Sequence, residues 1–132
     1  MSLFVDASAL VAIIADEAER ERFASTIRDE AVALWSAMSC WEAISGLRSV
    51  YDWPIGTARD EVEATAERFG MRLVAIAEME RAIALEAYQR YGKGTRHPAR
   101  LNMGDCFAYA CAKTSNARLL YKGNDFAHTD LA

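Results

Sequence analysis

The sequence predicts an α/β fold in which helices flank a parallel sheet of about four to five strands. Short apolar runs alternate with helix-like stretches from one end of the chain to the other. The composition, 52% apolar and 26% charged residues, is that of a globular protein rather than of a disordered chain. Only one clear loop, residues 92–102, interrupts the alternation. Strands that alternate with helices form parallel sheets, which bind ligands at the carboxyl ends of their strands.

The first half of the chain contains two predicted strands and three predicted helices. Each strand is a short apolar run, and each helix is marked by a capping residue or an apolar stripe. In order, they are a strand at 3–5, a helix that opens at Ser8, a surface helix at 18–29, a strand at 31–35, and a helix from Ser36 or Ser39 to about Tyr51.

The second half begins at a break, residues 52–56, where Pro54 and Gly56 interrupt the helical pattern. A helix then ends at Gly70, which fits the glycine that follows a helix in the left-handed conformation. The remaining predicted elements are a strand at 71–76, a helix at 78–91, the loop at 92–102, a helix at 103–113 and a strand at 118–121.

The length of 132 residues predicts one domain, residues 1–132, with a core of its own. No apolar run approaches the ~20 residues that span a bilayer, and the first residues lack the basic region of a signal peptide. Three cysteines in apolar stretches, Cys40, Cys106 and Cys111, predict reduced thiols in a cytoplasmic protein. No C-x-x-C spacing and only two histidines argue against zinc.

The formal net charge of −4 argues against a broad basic face that coats nucleic acid. It does not argue against a nuclease, because clustered carboxylates contribute to the negative sum and bound divalent ions reverse it locally.

Two aspartates stand where a parallel sheet binds its ligands. Asp6 directly follows the first strand, although it could also simply cap the next helix. Asp105 heads a stretch, residues 106–112, that is almost wholly apolar and therefore predicts a buried helix. An acid at the tip of a buried helix is unusual unless it is paired or binds a metal.

Two further acids complete the candidate set. Glu42 lies among small residues on its helix and has no Lys or Arg four positions away to pair with it. Asp125 follows the last strand, where a plain turn is the alternative. Several carboxylates in one crevice repel each other, and a divalent cation removes that penalty. Oxygen ligands alone fit Mg²⁺, or Mn²⁺ as its substitute, better than zinc.

At these acids the sequence resembles the PIN-domain ribonucleases, and most closely the VapC toxins of bacterial VapBC toxin–antitoxin modules. The resemblance covers essentially the whole chain. The matching segments are VDASAL at 5–10, WE at 41–42, LNMGDC at 101–106 and KGNDF at 122–126.

The resemblance implies an α/β/α sandwich and a magnesium-dependent endoribonuclease, a hydrolase of phosphodiester bonds. Asp6, Glu42 and Asp105 match the family's acidic positions. Asp125 matches the fourth position, at which the family varies, and Asp130 is the alternative there or a candidate for a supporting role. Two further residues match supporting positions, a hydroxyl at Ser8 and an amide at Asn102 that would orient Asp105.

The resemblance also implies a VapB-type antitoxin that binds near the active site, a homodimer, and RNA, with transfer RNA as the favoured substrate. The loop at 92–102 carries basic residues and no acid, so we expect it to contact phosphates together with a lysine beyond the last strand. The expected RNA contacts are Lys93, Arg96, Arg100 and Lys122.

Two other functions remain open from the sequence. One is another metal-dependent phosphatase or nuclease, although an aspartyl-phosphate enzyme would place a second acid at position 8, where this chain has Ser8. The other is a catalytically inactive PIN-like binding module.

Overall fold

A computed structural model describes all 132 residues. Its sheet has four parallel strands in the order β3-β2-β1-β4, so the first strand lies in the interior of the sheet. The strands are β1 Ser2–Val5, β2 Val32–Trp35, β3 Arg72–Leu73 and β4 Arg118–Leu120.

Six helices connect the strands. They are α1 Ala7–Ile14, α2 Arg20–Asp29, α3 Ala37–Tyr51, α4 Ile55–Arg68, α5 Glu78–Tyr91 and α6 Met103–Thr114. The predicted α/β class and parallel sheet are therefore confirmed, and every predicted strand and helix is present.

The side chains of β1 show why the fold has three layers, because successive residues of a strand point to opposite faces. Leu3 and Val5 belong to a core cluster with residues of α1, α3 and α4, whereas Phe4 belongs to a second cluster with residues of α5 and α6. All three side chains are buried. The sheet is consequently covered by helices on both faces, as the apolar run at its centre requires.

The ends of several elements differ slightly from the prediction. Ser36 and Ser39 both serve the start of α3, since they form one capping box in which each bonds to the other residue's backbone. Gly70 has the predicted left-handed backbone, with φ 63°. The edge strand β3 is shorter than predicted, although the Val74 amide still donates to the Trp35 carbonyl at 2.8 Å.

The cysteines are free, with Cys106 and Cys111 buried and Cys40 half-buried. None of the helices combines the length and the apolar character that crossing a membrane would require.

The topology brings three chain segments to one edge of the sheet. The carboxyl ends of β1 and β4 are joined there, where the Asp6 amide donates to the Leu120 carbonyl at 2.9 Å. Helix α6 packs against α3 and against β1. This edge is therefore the place to examine for the predicted acidic cluster.

Candidate metal centre

Asp6 is both the cap of α1 and a buried acid at the end of β1. Its Oδ2 accepts hydrogen bonds from the Ser8 amide at 3.1 Å and from the Ser8 hydroxyl at 2.6 Å. Burial raises the pKa of Asp6, and the bonds from Ser8 oppose that rise. The capping role and the site role thus coexist in one carboxylate, with the second oxygen, Oδ1, left outside these two bonds.

Asp105 is held by a capping box at the start of α6. The Asn102 side chain accepts from the Asp105 amide at 2.8 Å, and Asp105 Oδ2 accepts from the Asn102 amide at 3.1 Å. Burial raises the pKa of Asp105 to about 7; the Asn102 bond opposes this, while Asp125 and Asp6 add to it. The Asp105 carboxylate is thus bonded by the backbone N–H of Asn102, while the Asn102 side chain bonds the Asp105 backbone.

Glu42 reaches the same place from α3. Its carboxylate lies against Gly104, so closely that a Cβ on that glycine would overlap it. Burial, followed by repulsion from Asp6 and Asp105, raises the pKa of Glu42 to about 7. The start of α6 is therefore shaped to admit a carboxylate from a neighbouring helix, a role of Gly104 that sequence reasoning missed.

Asp125 approaches the cluster from the segment after β4. Its side chain is exposed, yet its charge contributes to the raised pKa values of both Asp6 and Asp105. Ser8 ties this segment to α1, because its hydroxyl oxygen accepts from the Lys122 amide at 3.0 Å. The structure thus brings four predicted acids within electrostatic reach: Asp6, Glu42, Asp105 and Asp125.

The donor set fits a hard divalent cation in its chemistry. It offers only carboxylate oxygens, which Mg²⁺ and Mn²⁺ prefer, and the mutual repulsion of the acids is what a cation relieves. No three His, Cys, Asp or Glu side chains stand close enough together to hold one ion as they are placed. The acids share a crevice, but their side chains would have to rotate for three of them to coordinate one ion.

Lys122, one of the expected RNA contacts, is paired with acids in the structure. Its Nζ lies 2.9 Å from Glu17 Oε1 and 3.4 Å from Glu19 Oε1. The ammonium group is thus already paired with two acids of the segment that follows α1. A phosphate would therefore compete with these two acids for the Lys122 side chain, whereas its backbone amide bonds to Ser8 beside the site.

Asp130, the alternative fourth acid, lies apart from the cluster in the structure. Its carboxylate accepts a hydrogen bond from the Tyr109 hydroxyl and pairs with Lys113. These residues lie in the later turns of α6, whereas Asp105 lies in the first. Asp125 is therefore the better fourth acid, and Asp130 needs another explanation.

The predicted basic loop begins beside the acids. Lys93 is near enough to lower the pKa of Asp105, against the larger effects that raise it. A backbone bridge between Gly92 and Leu101 closes the loop at its base. Arg96 and Arg100 are exposed and make no ion pair. The loop thus presents three cations to solvent at one side of the cluster.

An apolar surface borders the cluster on the side of Glu42. Trp41 and Met103 are 75% and 67% exposed, although both side chains are large and apolar. Together with Met38 and Ile76 they line a cavity that also includes Glu42. Large exposed apolar patches of this kind mark interaction sites.

The comparisons with known proteins agree with this architecture. The sequence model of the PIN domain matches residues 3–131. Ribonuclease VapC30 of Mycobacterium tuberculosis is 40% identical over 130 residues, which cover 98% of this chain and 96% of that protein.

Two solved structures are similar in fold. The Mycobacterium tuberculosis toxin VapC20, described as cleaving the sarcin-ricin loop, aligns with a TM-score of 0.73 at 19% identity, covering 98% of this chain and 96% of that one. A chain of a toxin–antitoxin complex from Klebsiella pneumoniae aligns with a TM-score of 0.69 at 15% identity, covering 99% and 94%.

The contact between Glu42 and Gly104 leads to a first prediction. Gly104→Ala places a methyl group where the Glu42 carboxylate lies, so we expect that flexible carboxylate to move and Mg²⁺ affinity to fall about 10-fold or more, as when other supports of metal ligands are lost. Stability should be unchanged or higher by about 0.5–1 kcal/mol, because alanine is a better helix former than glycine.

Titration calorimetry and urea unfolding measure the two quantities. Gly56→Ala is the matched control, since Gly56 is also the second residue of a helix and has open space around it. Equal Mg²⁺ affinity in both variants would show that the contact has no part in metal binding.

The raised pKa values lead to a second prediction. In the metal-free protein Glu42 and Asp105 have pKa values of about 7, against ordinary values of 4.5 and 3.8. The folded chain therefore binds more protons than the unfolded chain between about pH 4 and 7, and its free energy of unfolding falls as the pH rises through that range.

Urea unfolding in the presence of a chelator, at pH 5.5 and pH 8, measures this difference. We expect the fall to be smaller in Glu42→Gln and Asp105→Asn than in the wild type, because neither new side chain ionises. The same fall in all three proteins would mean that these acids do not titrate in the folded state as stated.

Proposed function

The chain belongs to the VapC ribonuclease toxins of the PIN-domain family, and we propose on that premise that its acidic cluster is a magnesium-dependent site for cutting RNA. The observation that carries the proposal is the convergence of four carboxylates, two of them with pKa values of about 7, at the carboxyl ends of β1 and β4. The proposed catalytic and metal-binding residues are Asp6, Glu42, Asp105 and Asp125.

Asp6 and Asp105 are the proposed principal metal ligands, since both are buried and both are held in place by a neighbouring residue. Glu42 and Asp125 complete the set from the two sides of the crevice. When bound, Mg²⁺ would supply acidification of a water molecule and neutralisation of charge on the scissile phosphate. Mn²⁺ would substitute for it, because it accepts the same oxygen ligands.

The chain's own residues orient these acids. The Ser8 hydroxyl donates to one oxygen of Asp6, which fixes the plane of that carboxylate. The Asn102 backbone N–H donates to one oxygen of Asp105 and fixes that carboxylate in the same way. Each carboxylate therefore has one oxygen committed to the protein and another available to a ligand. Such supports reduce the reorganisation that binding requires.

The loop at 92–102 is the proposed contact for the RNA backbone. Lys93, Arg96 and Arg100 carry its positive charge, and Lys93 stands nearest to the acids. Proteins that read RNA sequence mostly contact single-stranded loops, where the bases are unstacked and readable. Transfer RNA, which has several such loops, is our proposed substrate.

The apolar surface around Trp41 is the proposed site of a VapB-type antitoxin. A segment laid over Trp41 and Met103 would bury their exposed side chains and cover Glu42 at the same time. A complex of that kind would inhibit RNA cleavage by occlusion. We further propose a single PIN domain over residues 1–132, a homodimer, and a cytoplasmic location where the three free thiols remain reduced.

The proposed ligands lead to a third prediction. Asp6→Asn and Asp105→Asn keep the shape of each side chain but remove its charge, so we expect metal-dependent RNA cleavage to fall by more than the roughly 100-fold that loss of an outer support costs. Both proteins should stay folded. Cleavage is measured on a labelled RNA with Mg²⁺, with circular dichroism as the test of folding.

Asp29→Asn is the control, because Asp29 is an exposed residue at the end of α2, before the amino end of β2 and so at the opposite edge of the sheet. If Asp6→Asn and Asp105→Asn cut RNA as fast as the control, the site assignment is wrong.

The basic loop leads to a fourth prediction. Replacing Lys93, Arg96 and Arg100 with glutamine should weaken RNA binding and make it less sensitive to salt, since each lost contact with a single-stranded phosphate lowers the salt slope by about 0.7. Filter binding or fluorescence anisotropy at several salt concentrations measures both the affinity and the slope.

The matched control neutralises Arg28, Arg68 and Arg72, which lie at or just before the amino ends of β2 and β3. That variant should bind RNA like the wild type. An unchanged salt slope in the loop variant would exclude the loop as the phosphate contact.

A further inference from the structure

The carboxylate of Asp130 joins the end of the chain to two helices. Its Oδ1 accepts from the Tyr109 hydroxyl at 2.7 Å and from the Tyr91 hydroxyl at 3.4 Å, and its Oδ2 pairs with Lys113. Tyr109 and Lys113 belong to α6, whereas Tyr91 is the last residue of α5. One side chain therefore fastens the chain terminus to both helices of one layer.

Tyr91 connects this junction to the basic loop. Its ring meets the His97 ring edge-on, with centroids 4.9 Å apart, and it lies 5.7 Å from the Tyr109 ring. Its carbonyl accepts from the Leu101 amide at 2.9 Å, one of the bonds that close the loop. Tyr91 is thus connected to both ends of the loop. It directly precedes Gly92 in the chain, and it is hydrogen-bonded to Leu101 at the far end.

The loop needs such an anchor. Arg96 and Arg100 both have left-handed backbone conformations, with φ of 67° and 52°. Residues other than glycine adopt this conformation only at a cost in free energy. Both residues are exposed, so no packing of their own holds them. The loop is held at its base, where the Lys93 amide donates to the Leu101 carbonyl at 3.0 Å. Within the loop, the Thr95 hydroxyl donates to the Gly92 carbonyl at 2.6 Å, and the His97 ring packs on Tyr91.

We propose that Asp130 is a positioning residue, which fixes the base of the RNA-binding loop through Tyr91 and Tyr109. The proposal rests on the proposed function, since that function assigns the loop to RNA. Asp130 touches neither the acids nor the loop's cations. It acts by holding the buried ring on which the loop is seated, and so it keeps Lys93 beside the acidic cluster.

The protonation states suit this role. Burial raises the pKa of the Tyr109 hydroxyl, and the bond to Asp130 raises it further, so the hydroxyl remains a donor. Burial alone would raise the pKa of Asp130, but the bonds from Lys113 and Tyr109 outweigh it and hold that pKa below its usual value. Asp130 is therefore a carboxylate acceptor near neutral pH, and the Tyr109 hydroxyl keeps its proton and donates to it.

The turn between Asp125 and Asp130 has contacts of its own. Phe126, the residue after Asp125, is 1% exposed, and its carbonyl accepts from the Thr129 hydroxyl at 2.8 Å. These contacts do not involve the Asp130 carboxylate. Loss of that carboxylate should consequently loosen the loop at 92–102 more than the segment that carries Asp125.

The test compares four variants in the full-length protein. Asp130→Ala removes the acceptor, Asp130→Asn restores an oxygen that tyrosines can bond, Tyr109→Phe removes only one donor, and Lys113→Met breaks only the ion pair. Two experiments are made on each variant. The first measures hydrogen exchange of the Lys93 and Leu101 amides in the free protein, and the second measures KM and kcat for RNA cleavage with Mg²⁺.

We expect Asp130→Ala to speed exchange of both amides and to raise KM, each about 5-fold, the size of effect that one lost hydrogen bond produces, with kcat nearly unchanged. Tyr109→Phe should change both in the same direction. Asp130→Asn should restore most of the wild-type behaviour, and Lys113→Met should match the wild type. Tyr109→Phe keeps the test decisive if the alanine variant does not fold.

Wild-type exchange rates in Asp130→Ala and Tyr109→Phe would overturn the proposal. So would a Lys113→Met variant that reproduces the alanine effect, because the ion pair alone would then explain it. Failure of the proposed function is a different result: the loop-neutralised variant would have the wild-type KM, whatever the exchange rates of the loop amides are.

Discussion

Four carboxylates held near one another at the carboxyl ends of two parallel strands repel each other, and the surrounding structure is organised around that repulsion. Burial and mutual charge raise the pKa of both Glu42 and Asp105 to about 7. A fold keeps such a cluster only if the backbone that carries it is held firmly. Here the constraint is met by β1 and β4, which lie side by side, and by capping bonds at the starts of α1 and α6.

The same bonds that start the helices also prepare the site. Asp6 caps α1 with one oxygen, and Asp105 closes a capping box with one oxygen, so helix formation itself fixes the direction of each carboxylate. Ser8 has a similar double role. Its hydroxyl donates to Asp6 and accepts from the Lys122 amide, and Lys122 lies three residues before Asp125. Local folding and site geometry therefore depend on the same few contacts, and a change in one should be felt in the other.

The features that are local in sequence could be predicted from it. Short apolar runs predicted the strands. The position of Asp6 directly after a strand predicted that it lies at the ligand-binding edge of the sheet. Asp105 followed from its place before an apolar helix. Contacts between distant segments could not be predicted in this way. The seating of Glu42 on Gly104 depends on how α3 crosses α6, and the pairing of Lys122 with Glu17 joins residues 105 positions apart. The contacts of Asp130 could not be predicted for the same reason, since its partner Tyr91 lies 39 positions away.

We propose that the acids around Asp6 and Asp105 bind a divalent ion, and anomalous diffraction from crystals grown with Mn²⁺ tests this most directly. We expect an anomalous peak within coordination distance, ~2.0–2.3 Å, of Asp6 and Asp105 oxygens, with Glu42 or Asp125 in contact directly or through water. A Mn²⁺ peak elsewhere on the protein, with none between Asp6 and Asp105 at saturating Mn²⁺, would contradict it.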